Sequence, residues 1–128
     1  MMELRLATPE QVAAAYERDL RPSFPPAELK PLANIQAMCR ENCYRPWCLF
    51  DGEDLAGECF LWLGRPGWAL LDYLCVAPGR RNGGAGAWML SELRRVEGDR
   101  PAISRRTASW PSSWGLSSLW GIFKFPSS

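Results

Sequence analysis

Alternation and helical spacing divide the first forty residues into one strand and two helices. Residues 3–6 alternate between charged and leucine side chains, which predicts a short strand. Thr8 and Gln11 then have the spacing of a helix capping box, so a helix is expected to follow and to end near Arg21, where prolines begin. Apolar residues recur every three positions within 29–42, which predicts a second helix with one apolar face.

Three apolar runs and one further helical pattern follow. Residues 44–51 and 55–63 are rich in aromatic and aliphatic side chains and are separated by a polar turn, which is typical of an antiparallel hairpin. The run 68–76 is almost continuously apolar, as expected for a central strand that is covered on both faces. A glycine-rich turn leads from it into an amphipathic helix that is expected to end near Arg95. The predicted order is therefore β-α-α-β-β-β-α.

The regular pattern ends after residue 97. The segment 98–128 is rich in serine and tryptophan, has no acidic residue after Asp99, and shows neither helical nor strand spacing over most of its length. Within it, 119–125 can form one short strand or helical turn. Its few basic residues are too widely spaced for a nucleic-acid or membrane surface. We therefore expect a folded unit over 1–97, followed by an atypical tail over 98–128 that is poorly ordered or aberrant.

Composition narrows the class of protein. The chain has 128 residues, of which 47% are hydrophobic and 23% charged, the mixture of one soluble globular domain. The formal net charge of +1 excludes a strong positive field of the kind that holds nucleic acid or an anionic membrane. No apolar run approaches the roughly 20 residues of a membrane span, and the first residues lack the pattern of a secretory signal. The expected location is the cytoplasm.

Histidine and cysteine usage restricts the chemistry. The sequence contains no histidine, which excludes Ser-His-Asp and Cys-His nucleophile systems and most zinc hydrolases. Its five cysteines are an odd number without a paired Cys-x-x-Cys spacing, so neither a disulfide framework nor a metal site is expected. Reduced thiols that act as small hydrophobic side chains are the better interpretation.

The glycine-rich turn is the segment with the clearest functional pattern. A strand that runs through such a turn into a helix can hold an anion, because the first amides of a helix lack intrahelical partners and lie at its positive end. Small residues over 83–87 leave these amides accessible, and Arg80 and Arg81 add positive charge beside them. A phosphate or pyrophosphate is the expected ligand. The spacing fits neither a Walker A loop nor a complete dinucleotide-binding turn.

Residues 74–86, with the amphipathic helix that follows them, resemble the acetyl-CoA-binding motif of the GNAT N-acetyltransferases. Val76 and Pro78 fall at the motif's usual offset, and Arg81, Gly84 and Gly86 occupy its three signature positions. The resemblance covers about residues 1–95. It implies an α/β fold with a mixed, mainly antiparallel sheet flanked by helices, and with an incomplete C-terminal part.

The resemblance also implies a reaction and its substrates. Acetyl-CoA is the expected co-substrate, without a metal, and the acceptor is the primary amine of a small molecule or peptide. The pyrophosphate would bind the turn amides, while the pantetheine arm would pair with the end of the preceding strand, where one backbone N–H would polarise the thioester carbonyl. The implied acetyl-CoA-binding residues are Leu74, Cys75, Val76, Arg81, Asn82, Gly83, Gly84, Ala85, Gly86 and Ala87.

The proton-transfer groups are less clear from the sequence. Asp72 and Glu58 are the candidates for the base that takes the amine proton, although each can equally be a structural carboxylate. The family's later strands and its thiolate-protonating tyrosine have no visible counterpart, since no tyrosine occurs after Tyr73. Two alternatives therefore stay open beside an active or inactive truncated acetyltransferase: a non-catalytic CoA- or nucleotide-binding module, and a non-functional fragment. Cys75 is expected to be a packed core residue rather than a nucleophile.

Overall fold

The computed structural model describes residues 1–63, 69–80, 84–97, 102–104 and 121–123, and for residues 69, 102–104 and 121–123 it describes the backbone alone. The predicted order of elements is confirmed over the first 97 residues, with two short strands added beyond them. The strands are β1 (Met2–Leu6), β2 (Tyr44–Asp51), β3 (Asp54–Trp62), β4 (Ala69–Val76), β5 (Ala102–Ser104) and β6 (Gly121–Phe123). The longer helices are α1 (Pro9–Ala15), α2 (Leu32–Arg40) and α3 (Ala85–Glu97).

The first helix begins as the capping box predicts. The Thr8 hydroxyl accepts a hydrogen bond from the Gln11 amide at 3.2 Å, and the Gln11 side chain accepts one from the Thr8 amide at 2.9 Å. The helical stretch ends at Ser23, two residues beyond the expected end near Arg21. It continues beyond α1 through a π-helical turn, Tyr16–Leu20, and a last helical turn, Arg21–Ser23.

The second helix is shorter than the sequence pattern indicates. Residues Pro26–Glu28 form a 3₁₀ turn, Leu29 is extended, and α2 begins at Leu32. The cause is Pro31, because a proline disfavours helical geometry in the residue before it and fits well at a helix start. The stretch between the last turn of the first helix and α2 is therefore an irregular segment rather than helix.

The strands form one sheet in the order β1-β2-β3-β4-β5-β6. Strands β1 to β4 are antiparallel to their neighbours, β4 and β5 are parallel over Ala69–Leu71, and β5 and β6 are antiparallel. The sheet is thus mixed and mainly antiparallel, as expected. β5 lies where no strand was expected, because three residues are too few to show an alternating pattern, and β6 falls inside the predicted 119–125 segment.

Two apolar layers cover the two faces of the sheet. One layer packs β1–β4 against α3 and includes Leu49, Leu61, Leu74, Met89 and Leu93. The other packs the sheet against the N-terminal helices and includes Val12, Leu20, Ile35, Phe60 and Tyr73. The near-continuous apolar character of β4 is explained by this arrangement, since both of its faces are buried.

Two contacts place α3 closely against the sheet. A Cβ atom on Gly57 would lie 2.9 Å from the Cys75 carbonyl oxygen and 3.1 Å from the Met89 Cε, so the helix approaches β3 where a side chain is missing. At the other end of α3, the buried Glu97 carboxylate accepts hydrogen bonds from Arg45 at 2.6 Å and from the Trp47 indole at 2.8 Å. This anchor explains why α3 extends two residues beyond the expected end near Arg95.

A β-bulge on β4 changes the direction of two neighbouring side chains. Phe60 pairs with Tyr73 and Leu61 pairs with Leu71, so Asp72 is the extra residue on β4. Tyr73 packs among the N-terminal helices, and the Asp72 carboxylate reaches side chains on that same side of the sheet. Strict alternation would have placed the two on opposite faces.

Candidate functional site

The strand, turn and helix of the predicted anion site lie in the expected order. β4 ends at Val76, a 3₁₀ turn follows over Pro78–Arg80, and α3 begins at Ala85. Gly84 directly before the helix has φ +76°, is exposed, and has open space where a Cβ would lie. Glycine adopts this left-handed conformation without the steric cost that other residues meet. Three of the predicted binding residues, Arg81, Asn82 and Gly83, lie outside the described residues.

The first amides of α3 precede the helical hydrogen-bond ladder. The Trp88 amide donates to the Gly84 carbonyl oxygen at 3.0 Å, so Gly84 is the N-cap residue. The amides of Ala85, Gly86 and Ala87 come before this bond and therefore have no acceptor within the helix. The Ala85 side chain is buried in the core under the turn, whereas Ala87 is exposed. The geometry thus provides helix N-terminal donors beside an exposed glycine.

Arg80 was expected to add positive charge beside this turn, but its guanidinium is paired elsewhere. Its guanidinium bonds the Asp51 carboxylate at 2.7 Å and lies 3.7 Å from Asp54, at the hairpin between β2 and β3. The N-terminal ammonium of Met1 also bonds Asp51, at 2.9 Å. That ammonium, and then Arg80, lower the pKa of the exposed Asp51 carboxyl. Arg80 therefore ties the start of the turn to the neighbouring hairpin.

The end of β4 places its side chains on both faces of the sheet. Leu74 and Val76 belong to the layer against α3, and Cys75 belongs to the opposite layer, where it is 2% exposed. The Cys75 sulfur lies 3.5 Å from the Ser23 hydroxyl and 3.7 Å from the Asp19 carbonyl oxygen. The prediction that Cys75 is a packed core residue is confirmed. All five cysteines are free thiols.

Glu58 lies directly across from Cys75 in the sheet and is fully buried. Neither carboxyl oxygen has a hydrogen-bond partner among the described residues. Burial, and next the nearby carboxylate of Asp19, raise the pKa of Glu58 well above its usual value. The Arg18 guanidinium donates one hydrogen bond to each oxygen of the Asp19 carboxylate, at 2.8 and 2.7 Å. Glu58 is therefore a buried carboxyl that resists ionisation.

The raised pKa of Glu58 predicts an unusual dependence of stability on pH. The unfolded chain releases this proton near pH 4.5, whereas the folded chain keeps it, so stability falls as pH rises from 4.5 towards the folded pKa. The loss is at most about 1.4 kcal/mol per pH unit. Glu58→Gln is expected to remove this slope and to be more stable than the parent chain at pH 8, as measured by urea unfolding from pH 4 to 9.

Glu53→Gln is the matched control, because the same change falls on an exposed residue of the β2–β3 turn. It should follow the parent pH profile. An unchanged slope in Glu58→Gln would mean that Glu58 ionises normally in the fold.

Asp72, the other candidate base, is engaged by two neighbours. The Lys30 ammonium bonds its two oxygens at 2.9 and 2.8 Å, and the Tyr44 phenol donates to Oδ2 at 2.8 Å. Burial, followed by the Asp72 charge, raises the pKa of Tyr44 well above its ordinary value, so the phenol remains a donor. Both oxygens of the Asp72 carboxylate are therefore already engaged by side chains of the fold.

Sequence reasoning missed the residues that hold the irregular segment before α2. The Lys30 amide donates to the Tyr73 hydroxyl at 2.8 Å, and that hydroxyl donates to the Glu28 carbonyl oxygen at 2.9 Å. The Tyr16 hydroxyl donates to the Lys30 carbonyl oxygen at 2.6 Å. These bonds attach the segment to the bulge of β4. Its residues show no period, so no pattern in the sequence pointed to them.

Solved structures with a similar fold are acetyltransferases. A protein of Bacteroides thetaiotaomicron described as a GNAT-family acetyltransferase is 22% identical, with a TM-score of 0.69, over 88% of this chain and 65% of its own. A Brucella melitensis GNAT acetyltransferase in complex with acetyl-CoA is 16% identical, with a TM-score of 0.69, over 99% of this chain and 90% of its own. The chain has the GNAT fold. The ribosomal-protein-S18-alanine N-acetyltransferase of Escherichia coli shares this fold at 18% identity and a TM-score of 0.63, over 90% and 73% of the two chains.

This fold confirms the fold class predicted from the sequence. The chain spans about two thirds of the length of the Bacteroides protein. No protein-family model and no curated protein sequence matches the chain. Within the described residues, no group of three or more candidate ligands is arranged to hold a metal ion. No helix in the same part of the chain is long and apolar enough to cross a bilayer.

Proposed function

We propose that the chain is an N-acetyltransferase domain that binds acetyl-CoA at the junction of β4 and α3 and transfers the acetyl group to a primary amine. The observation that carries the proposal is Gly84, which holds a left-handed conformation at the exposed N-terminus of α3, directly after a central strand of a GNAT-type sheet. Helix N-terminal amides and the helix dipole favour a bound phosphate. The cytoplasmic location remains a prediction.

The proposed acetyl-CoA site uses the residues named from the sequence. The amides over 84–87, together with Arg81, Asn82 and Gly83, would hold the pyrophosphate. Leu74, Cys75 and Val76 would lie beside the pantetheine arm, because they connect the β4–β5 pairing to the glycine turn. A structure with the same fold was solved in complex with acetyl-CoA, which supports acetyl-CoA as the co-substrate.

We propose Glu58 rather than Asp72 as the group that takes the amine proton. In the reaction, the amine nitrogen bonds the thioester carbonyl carbon, the carbon–sulfur bond breaks so that CoA leaves as its thiolate, and the nitrogen gives one proton to the base. Both oxygens of Asp72 are bonded by Lys30, whereas Glu58, once ionised, is the stronger base because its pKa is raised. Since Glu58 must first lose its own proton, kcat is expected to rise with pH towards the Glu58 pKa. Because Glu58 is fully buried, the proton would reach it through a water molecule at its orphaned oxygens.

Calorimetric titration with acetyl-CoA, followed by measurement of thiol release, tests this function. The amine panel should contain a polyamine, an aminoglycoside and a peptide with a free N-terminal alanine, because the fold is shared with an S18-alanine acetyltransferase. Micromolar binding and amine-dependent thiol release are expected. Glu58→Gln should lower kcat and leave acetyl-CoA affinity unchanged.

Other outcomes would identify the alternatives. Tight binding without thiol release from any amine would indicate a non-catalytic CoA-binding module. A cooperative thermal melt is expected, and its absence would indicate a non-functional fragment. A folded chain that does not bind acetyl-CoA would refute the proposal.

A further inference from the structure

A cavity of about 600 Å³ lies between the start of α1, the end of α2 and the start of β2. Its volume is in the range of small-molecule sites in proteins. The residues that line it are Leu6, Ala7, Pro9, Val12, Gln36, Cys39, Arg40, Asn42, Tyr44, Arg45 and Pro46.

The cavity lies at the opposite end of the sheet from the proposed acetyl-CoA site. Arg45, at its wall, pairs with Leu61 near the end of β3, whereas Val76, at the glycine-turn end, pairs with Gly57 near the start of β3. Leu61 lies four positions along β3 from Gly57, a distance of about 13 Å. A ligand in this cavity would therefore bind apart from the acetyl-CoA junction.

One wall of the cavity is apolar and partly exposed. Leu6, Ala7, Pro9 and Val12 form this wall at the junction of β1 and α1. Leu6 is 51% exposed and, with Met1, is one of two large hydrophobic side chains exposed in the described part of the chain. Pro9 is exposed as well, and an apolar concave surface of this kind is one that a ligand with a hydrocarbon body would cover.

The polar part of the lining carries positive charge and no carboxylate. Arg40 and Arg45 line the cavity, and none of the lining residues is acidic. Arg45 is paired with Glu97 at 2.6 Å, and the Tyr44 phenol is directed to Asp72. No carboxylate among the described residues pairs with Arg40, so its charge is available to a ligand.

We propose that this cavity is a second ligand site that binds an amphipathic monocarboxylate, with its hydrocarbon body against Pro9 and Val12 and its carboxylate at Arg40. The apolar wall supplies affinity through the area that it buries, and Arg40 supplies preference for an anion. The Cys39 thiol lines the same cavity and is half-buried, so an occupant would cover it. The proposal is independent of acetyltransferase activity.

Titration of the full chain with decanoate below its micelle concentration tests the site. Decanoate should bind at least 10-fold more tightly than decylamine, because the two share a hydrocarbon body and differ in the sign of the head group. Arg40→Ala should weaken decanoate about 5- to 10-fold and leave decanol binding unchanged. Arg95→Ala is the control, since Arg95 is an exposed arginine on α3, on the other face of the sheet. Pro9→Ser should weaken both decanoate and decanol.

Alkylation of the thiols gives a second measurement. Saturating decanoate should slow alkylation of Cys39 by iodoacetamide at least 3-fold and leave the half-buried Cys43, which does not line the cavity, unaffected. Trypsin separates the two cysteines at Arg40, so mass spectrometry resolves them. Equal affinities for decanoate and decylamine, equal effects of Arg40→Ala and Arg95→Ala, or unchanged Cys39 alkylation would overturn the proposal.

Discussion

Gly84→Glu is expected to weaken acetyl-CoA binding by at least about 100-fold. The new carboxylate would stand at the N-terminus of α3, where the pyrophosphate is proposed to bind, and two like charges about 4 Å apart repel by several kcal/mol near a protein surface. A Cβ at this position meets nothing within 4 Å, so the loss of affinity would come from repulsion of the pyrophosphate rather than from a clash inside the fold. Calorimetric titration of the variant with acetyl-CoA measures it.

Gly52→Glu separates this effect from backbone strain. Gly52 has φ +65°, and a Cβ there also meets nothing within 4 Å, so both substitutions place glutamate in a left-handed conformation with open space. Each should cost about 1 kcal/mol of stability, but Gly52→Glu should retain acetyl-CoA affinity. Gly84→Ala should have an intermediate affinity, because it adds strain without charge. Equal affinities of Gly84→Glu and the parent chain would reject the junction as the site.

The features that were predictable from the sequence depend on neighbouring residues. The capping box of Thr8 and Gln11 spans three positions, and the left-handed Gly84 lies within one strand-to-helix turn. Both are set by backbone sterics and short hydrogen bonds that the local sequence determines. The positions of β1 to β4 along the chain, and the hairpin of β2 and β3, followed from alternating and continuous apolar runs in the same way.

The features that were missed depend on pairing between distant segments. The direction of Asp72 is set by the register of β4 against β3, where one extra residue turns its side chain towards the N-terminal helices. Arg80 is occupied by Asp51, which lies 29 positions away, so its proximity to the glycine turn in the sequence was misleading. A resemblance in motif identified the turn, but it could not show which charges the fold itself neutralises.

Lys30→Met is expected to destabilise the fold by about 3 kcal/mol, because it removes the ammonium that contacts both oxygens of the buried Asp72 carboxylate. Asp72 is 1% exposed, and both of its oxygens are within 2.9 Å of the Lys30 ammonium. The Tyr44 phenol would remain as a donor to one oxygen only. For a chain of this length, the melting temperature should fall by roughly 10 °C, which thermal melts and urea unfolding measure.

The double variant Lys30→Met/Asp72→Asn should recover much of this loss, since it removes the unpaired charge together with its partner. Arg21→Met is the matched surface control. It breaks the Glu17–Arg21 pair, in which both side chains are more than half exposed, and should change the melting temperature little. If Lys30→Met is no more harmful than Arg21→Met, the Lys30–Asp72 pair does not stabilise the fold.

A local measurement distinguishes loss of the ion pair from general weakening. The backbone amide of residue 30 donates to the Tyr73 hydroxyl, which β4 holds beside Asp72 at the bulge. If the ammonium holds the segment before α2 against β4, Lys30→Met should speed hydrogen exchange at this amide more than at amides of β2 and β3. Equal acceleration throughout the sheet would show that the pair stabilises the domain as a whole rather than the segment.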